Sequence, residues 1–93
     1  MFFVLFYHYA DDILEKRAPF REAHLALLQE FVDREEVILG GAFTDPMDSS
    51  ATVFRVKDKS RVEQFVEKDP YVRNGLITRW QIREWTVVAG SAL

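Results

Sequence analysis

Apolar residues crowd the first nine positions, and in an extended chain Phe2, Val4 and Phe6 point one way while Phe3, Leu5 and Tyr7 point the other. A segment this short, rich in aromatic and β-branched side chains, predicts a strand over Phe2 to Tyr9 that is covered on both faces. From about Pro19 to Glu35 the period lengthens. Phe20, His24, Leu27 and Phe31 recur at helical spacing, Leu28 and Val32 widen the stripe, and Pro19 suits a first turn, where its missing N–H costs nothing. Val37 to Thr44 and Ala51 to Lys57 are predicted as strands two and three, joined by the turn-forming run Asp45-Pro46-Met47-Asp48-Ser49-Ser50. Ser60 is the expected cap of a second helix, with Glu63 as its capping-box partner and Val62, Phe65 and Val66 turned inward. That helix stops at Asp69-Pro70, because a residue before proline is pushed out of the helical region. Asn74-Gly75 turns the chain into a long last strand, Ile77 to Val88, and residues 89–93 are expected to form a loose tail.

The order is β-α-β-β-α-β, an α+β chain of ferredoxin-like arrangement in which two helices lie on one face of a four-stranded antiparallel sheet. Residues 1–93 read as a single domain without repeat or linker. One sheet face then has no helix, yet the last strand carries Trp80 and Ile82 on one side and Ile77 and Trp85 on the other. A second copy packed sheet to sheet covers that face most economically, giving a homodimer built as a dimeric α+β barrel, with a higher oligomer of such dimers left open.

Composition strengthens this. Hydrophobic residues make up 48% of the 93, and eight are Phe. A domain this small buries only about two-thirds of its unfolded surface, too little to hide so many rings alone. The net charge of −3 argues against a nucleic-acid binder that works by neutralising phosphates. RNA-recognition modules share the element order, but strand three, Ala51 to Lys57, lacks their basic-Gly-aromatic run. There is no cysteine, which removes disulfides, thiolate nucleophiles and cysteine metal sites. The apolar N-terminal run has no basic flank and meets Asp11 and Asp12 too early for a membrane span or signal peptide, so a cytoplasmic protein with no membrane partner is expected. No glycine-rich phosphate loop or Gly-x-Ser-x-Gly elbow occurs, and no cofactor is expected. His8, His24, Asp11, Asp12 and Asp69 lack metal-ligand spacing, so no metal is expected either.

What remains is an edge defined by topology. With the first strand running up, the first helix runs down and the second up, so the start of helix one and the end of helix two share one rim. That rim is expected to hold His24, Asp69, Tyr71 and His8. A carboxylate beside a histidine fixes its tautomer and stabilises the imidazolium, as a general base requires. The plainer alternative is that His24 only ties the helix ends together through Asp69. Arg17 and Arg21 would hold an anionic substrate group, or pair on the surface with Glu15, Glu22 or Asp69. Tyr71 would donate its phenol to a substrate oxygen or plug the end of helix two. His8 is expected at the solvent edge, and Trp80 and Trp85 are expected in core or dimer packing rather than stacking on a ligand.

Several stretches resemble a known family. Leu14-Glu15-Lys16-Arg17, Arg21, Ala23-His24-Leu25 and Leu27-Leu28, then Gly40-Gly41, Asp69-Pro70-Tyr71-Val72, Gly75-Leu76 and Ile82-Arg83-Glu84-Trp85, occur in the order found in the YciI-like (YCII-related) family. The resemblance implies a dimeric α+β barrel like that of muconolactone isomerases and antibiotic-biosynthesis monooxygenases. It implies His24 and Asp69 as the catalytic pair, and some relatives are associated with elimination on chlorinated hydroxyquinones, while most have no assigned substrate. The departure is Asp45 to Ser50, where relatives often have a longer glycine-rich turn. The expected function is a cofactor-free homodimeric enzyme of isomerase or lyase type acting on a small oxygenated, anionic or aromatic molecule. His24 would act as base or acid, Asp69 as its orienter, and Arg17, Arg21 and Tyr71 as substrate-positioning residues. The alternative is a non-catalytic metabolite-binding or interaction module on the same barrel.

Overall fold

A computed structural model describes residues 1–91, so Ala92 and Leu93 of the expected tail lie outside the described residues. Four strands, β1 (Phe2–Tyr9), β2 (Val37–Ala42), β3 (Ser49–Arg55) and β4 (Ile77–Trp85), form one antiparallel sheet in the order β2-β3-β1-β4. The helices are α1 (Ile13–Lys16), α2 (Arg21–Asp33), α3 (Lys59–Lys68) and α4 (Pro70–Arg73). This is the ferredoxin-like arrangement, with α2 and α3 on one face.

The core lies between those helices and the sheet face made by Phe3, Leu5, Tyr7 and Phe54, onto which Phe31 of α2 and Val62, Phe65 and Val66 of α3 descend. Phe31, Phe54 and Phe65 meet edge to face in all three pairings, with centroids 5.2–6.1 Å apart, the favoured geometry for aromatic quadrupoles. Arg61 sits 4.4 Å above the Phe31 ring and forks onto Glu36 at 2.7 and 2.9 Å, sealing this end of the core.

Local chemistry moves several expected boundaries. Pro19 lies in a 3-10 turn, Ala18–Phe20, and α2 proper starts at Arg21. At its other end Glu35 takes a positive φ of 61°, and the N–H groups of Glu36 and Glu35 reach the carbonyls of Phe31 and Val32. That pattern closes a helix at a position glycine usually fills. Asp58, not Ser60, caps α3 by accepting the Ser60 N–H at 2.9 Å, because a carboxylate two residues before that N–H reaches it without distortion. The short helices α1 and α4 escape periodicity because each offers one buried residue, Ile13 and Tyr71, which pack with Leu76 in a small satellite core.

β2 ends at Ala42, β3 runs from Ser49 to Arg55, and β4 ends at Trp85 rather than Val88. A register shift opposite His8 and Tyr9 puts an extra residue into β4. It turns Ile77 to the helix face beside Trp80 and Ile82, so Ile77 and Trp85 do not share a face as the simple alternation predicts. Trp80 and Trp85 are about half exposed and neither belongs to the core. The uncovered face presents Phe2, Val4, Phe6, Val53, Leu39 and Trp85.

Candidate functional site

Asp69 is the residue on which three elements converge. The end of α3 and the start of α4 meet there, since its extended backbone leaves one helix and caps the next, its carboxylate accepting the Tyr71 N–H at 3.0 Å. Pro70 makes this junction: it forbids helical geometry at Asp69 and suits the first position of α4. The carboxylate is thereby aimed back at α2 and β1. His24 Nδ1 lies 2.8 Å from Oδ1, and the Tyr7 hydroxyl donates to Oδ2 at 2.8 Å.

Asp69 is fully buried while the His24 side chain is 15% exposed, so the imidazole stands between the carboxylate and solvent. A buried carboxylate needs donors on both oxygens, and here it has three. Because an ionised carboxylate only accepts, the neutral imidazole carries its proton on Nδ1, leaving the Nε2 lone pair free. Tyr71 stacks on the ring face, centroids 3.9 Å apart and planes within 6°, which restrains rotation and places an aromatic face against any imidazolium. Burial, then the Asp69 charge, push the Tyr7 phenol far above its ordinary range, so it acts as a permanent donor. Burial also raises the Tyr71 phenol, and the nearby Arg17 and Arg21 cations partly offset this.

His24 opens onto a cleft of about 330 Å³ between α2 and the β2–β3 side of the sheet. Arg17, Arg21 and Leu25 line its helix side, Ser50 and Thr52 the sheet side, and Met47 reaches in from the β2–β3 turn. Gly40 keeps the sheet wall low: a Cβ there would meet the Thr52 side chain at 3.2 Å.

The expected rim therefore brings together His24, Asp69, Tyr71, Arg17 and Arg21. Neither arginine has a carboxylate in ion-pair reach among the described residues, so the expected surface pairing with Glu15, Glu22 or Asp69 is absent. His8 does not join them. It lies on the same strand face as Phe6, opposite Tyr7, and contacts Arg79 with Nε2 3.3 Å from the guanidinium. The rim expectation ignored the strand's alternation, which separates His8 from Tyr7 although they are adjacent. Tyr7 is the residue the pattern reading missed. Its position with Phe3 and Leu5 marks it as core, and a core tyrosine needs a partner for its hydroxyl, which is the signal that leads to Asp69. No cluster of three or more metal-ligating side chains exists among the described residues.

The sequence pattern of the YCII-related domain matches residues 1–86. The chain belongs to the YCII-related family. No curated protein matches the sequence. Among solved structures, this YCII-related chain is similar to 5-chloro-2-hydroxyhydroquinone dehydrochlorinase from Burkholderia phenoliruptrix AC1100, solved in complex with 2,5-dihydroxybenzoquinone. The TM-score is 0.79 at 23% identity, over 92% of this chain and 94% of that one, which shows a common fold. No described helix of the YCII-related chain is long and apolar enough to cross a membrane.

Proposed function

We propose that the protein is a small-molecule enzyme whose His24–Asp69 pair performs general acid–base chemistry, of isomerase or lyase type and without a redox cofactor. One observation carries this: His24 Nδ1 rests on a buried carboxylate while the His24 ring lines a cleft shared with Arg17 and Arg21, neither of which has a carboxylate partner among the described residues. A histidine that only braced two helices would gain nothing from that cleft. In this reading Nε2 takes a proton from a C–H or O–H made acidic by neighbouring oxygens, and Asp69 stabilises the imidazolium that results. Arg17, Arg21 and Tyr71 position the substrate. The dehydrochlorinase with the same fold supports elimination as the reaction type, and its named substrate heads the compounds to test.

The working form is a homodimer in the cytoplasm. The uncovered apolar face, with Leu39 64% and Trp85 51% exposed, supports sheet-to-sheet pairing.

The test follows His24 imidazole resonances across pH with and without small oxygenated acids, quinones and 5-chloro-2-hydroxyhydroquinone, then assays the compounds that perturb them. The reading expects a compound that shifts the His24 titration and is turned over by the native chain but not by His24→Gln. A shift with no turnover would return the barrel to a metabolite-binding module, and the absence of any shift would remove both roles.

A further inference from the structure

We infer that the cleft beside His24 is a carboxylate-binding site, in which Arg17 and Arg21 grip the carboxylate of a small organic acid and the Tyr71 hydroxyl supplies a further donor. This deepens the acid–base reading by naming the substrate class, and rests on it only for the direction in which the ligand extends, towards Nε2.

Charge is the first argument. The cleft is lined by two guanidiniums and one imidazole and by no Asp or Glu side chain, in a chain whose net charge is −3. The one nearby carboxylate, Asp69, is fully buried and already takes Tyr7, His24 and the Tyr71 N–H. Among 15 acidic residues, none described lies within ion-pair distance of Arg17 or Arg21. Arg17 is partly buried and has no counter-ion among the described residues.

Hydrogen bonding is the second. Tyr71 is 3% exposed, lines the cleft, and its hydroxyl makes no well-formed hydrogen bond among the described residues, although the Arg21 guanidinium comes near hydrogen-bonding range of its oxygen and leaves the phenol O–H free to donate. A buried hydroxyl left open costs free energy, and a ligand oxygen between it and the arginines would satisfy it. Both arginines lie close enough to act on that phenol electrostatically.

Size and polarity are the third. About 330 Å³ admits one small ring or short chain, and Leu25, Leu28 and Met47 offer an apolar wall. A bare inorganic anion would leave that wall uncovered, whereas an organic carboxylate uses both parts.

Calorimetric titration with benzoate, its neutral isostere benzamide and inorganic phosphate tests the site in the intact chain. Benzoate is expected to bind at least about tenfold more tightly than either, and Arg21→Gln and Arg17→Gln are each expected to weaken it about tenfold, as loss of a charge-assisted hydrogen bond does. Arg21 is exposed, so its variant remains a fair test should Arg17→Gln fold poorly. Tyr71→Phe is expected to weaken benzoate several-fold. Benzoate binding is read without turnover, so failure of this site shows in the titration alone, whereas failure of the acid–base reading shows only in the turnover and exchange assays. Benzamide or phosphate binding as tightly as benzoate, arginine variants that bind unchanged, or no benzoate binding at millimolar concentration would each overturn the inference.

Discussion

The Tyr7 hydroxyl donates to Asp69 Oδ2 at 2.8 Å, joining β1 to the α3–α4 junction across 62 residues of sequence. The bond occupies the oxygen that His24 does not use, so the carboxylate cannot rotate without breaking at least one of its three contacts. It is a hydrogen bond to a charged group in the protein interior. Tyr7→Phe should therefore lower stability by about 1.5–3 kcal/mol, read as a fall in the urea midpoint with unchanged slope.

Alkaline stability follows from the same residue. The folded-state phenols of Tyr7 and Tyr71 are both raised, so the neutral forms are favoured on folding. Their contribution is fully present below the ordinary tyrosine pKa of about 10 and is lost as pH rises above it, where the unfolded chain ionises and the folded one resists. Urea midpoints measured from pH 8 to pH 11 should fall more steeply in the native chain than in Tyr7→Phe.

At acid pH the signature belongs to Glu36. Its hydrogen bond to Arg61 holds the carboxyl below the usual glutamate range, so stability from this pair is present above that range and lost as pH falls through it. Glu36→Gln should be measurably less stable than the native chain at pH 7, and the gap should close progressively as pH falls below the usual glutamate range. The pair is partly exposed, with side chains 20% and 24% accessible, so added salt should narrow the pH 7 gap.

The apolar face makes a prediction about assembly. The native chain should sediment at about twice 10.9 kDa at micromolar concentration, and Val53→Asp, placed amid Val4, Phe6 and Trp85, should sediment at 10.9 kDa with its fold retained. Native protein that sediments only as monomer would remove the sheet-to-sheet arrangement.

Much of this architecture is written in the chain's periodicity. Phe3, Leu5 and Tyr7 alternate, Phe31 closes a helical stripe, and Asp69-Pro70 stops a helix, and these are enough to fix element order and to bring His24 within reach of Asp69. What periodicity misses is physical. The extra residue in β4 has no apolar signature, so the facing of Ile77 is legible only from strand pairing. The α3 cap at Asp58 competes with an equally plausible Ser60 and wins on side-chain reach. Tyr7 looks like core because it is core, and its polar role appears only when the residue opposite its hydroxyl is known. His8 misleads for the opposite reason, since its place in sequence is next to the site and its face is not.

The central claim is that His24 Nε2 moves a proton, and exchange of solvent deuterium into a carbon-bound position of a cleft ligand measures this directly. Proton NMR in D₂O should show the ligand C–H signal decay with the native chain, and the rate should drop by about 10²–10⁴ in His24→Gln, the usual worth of a positioned general base. Exchange by His24→Gln at the native rate would contradict it.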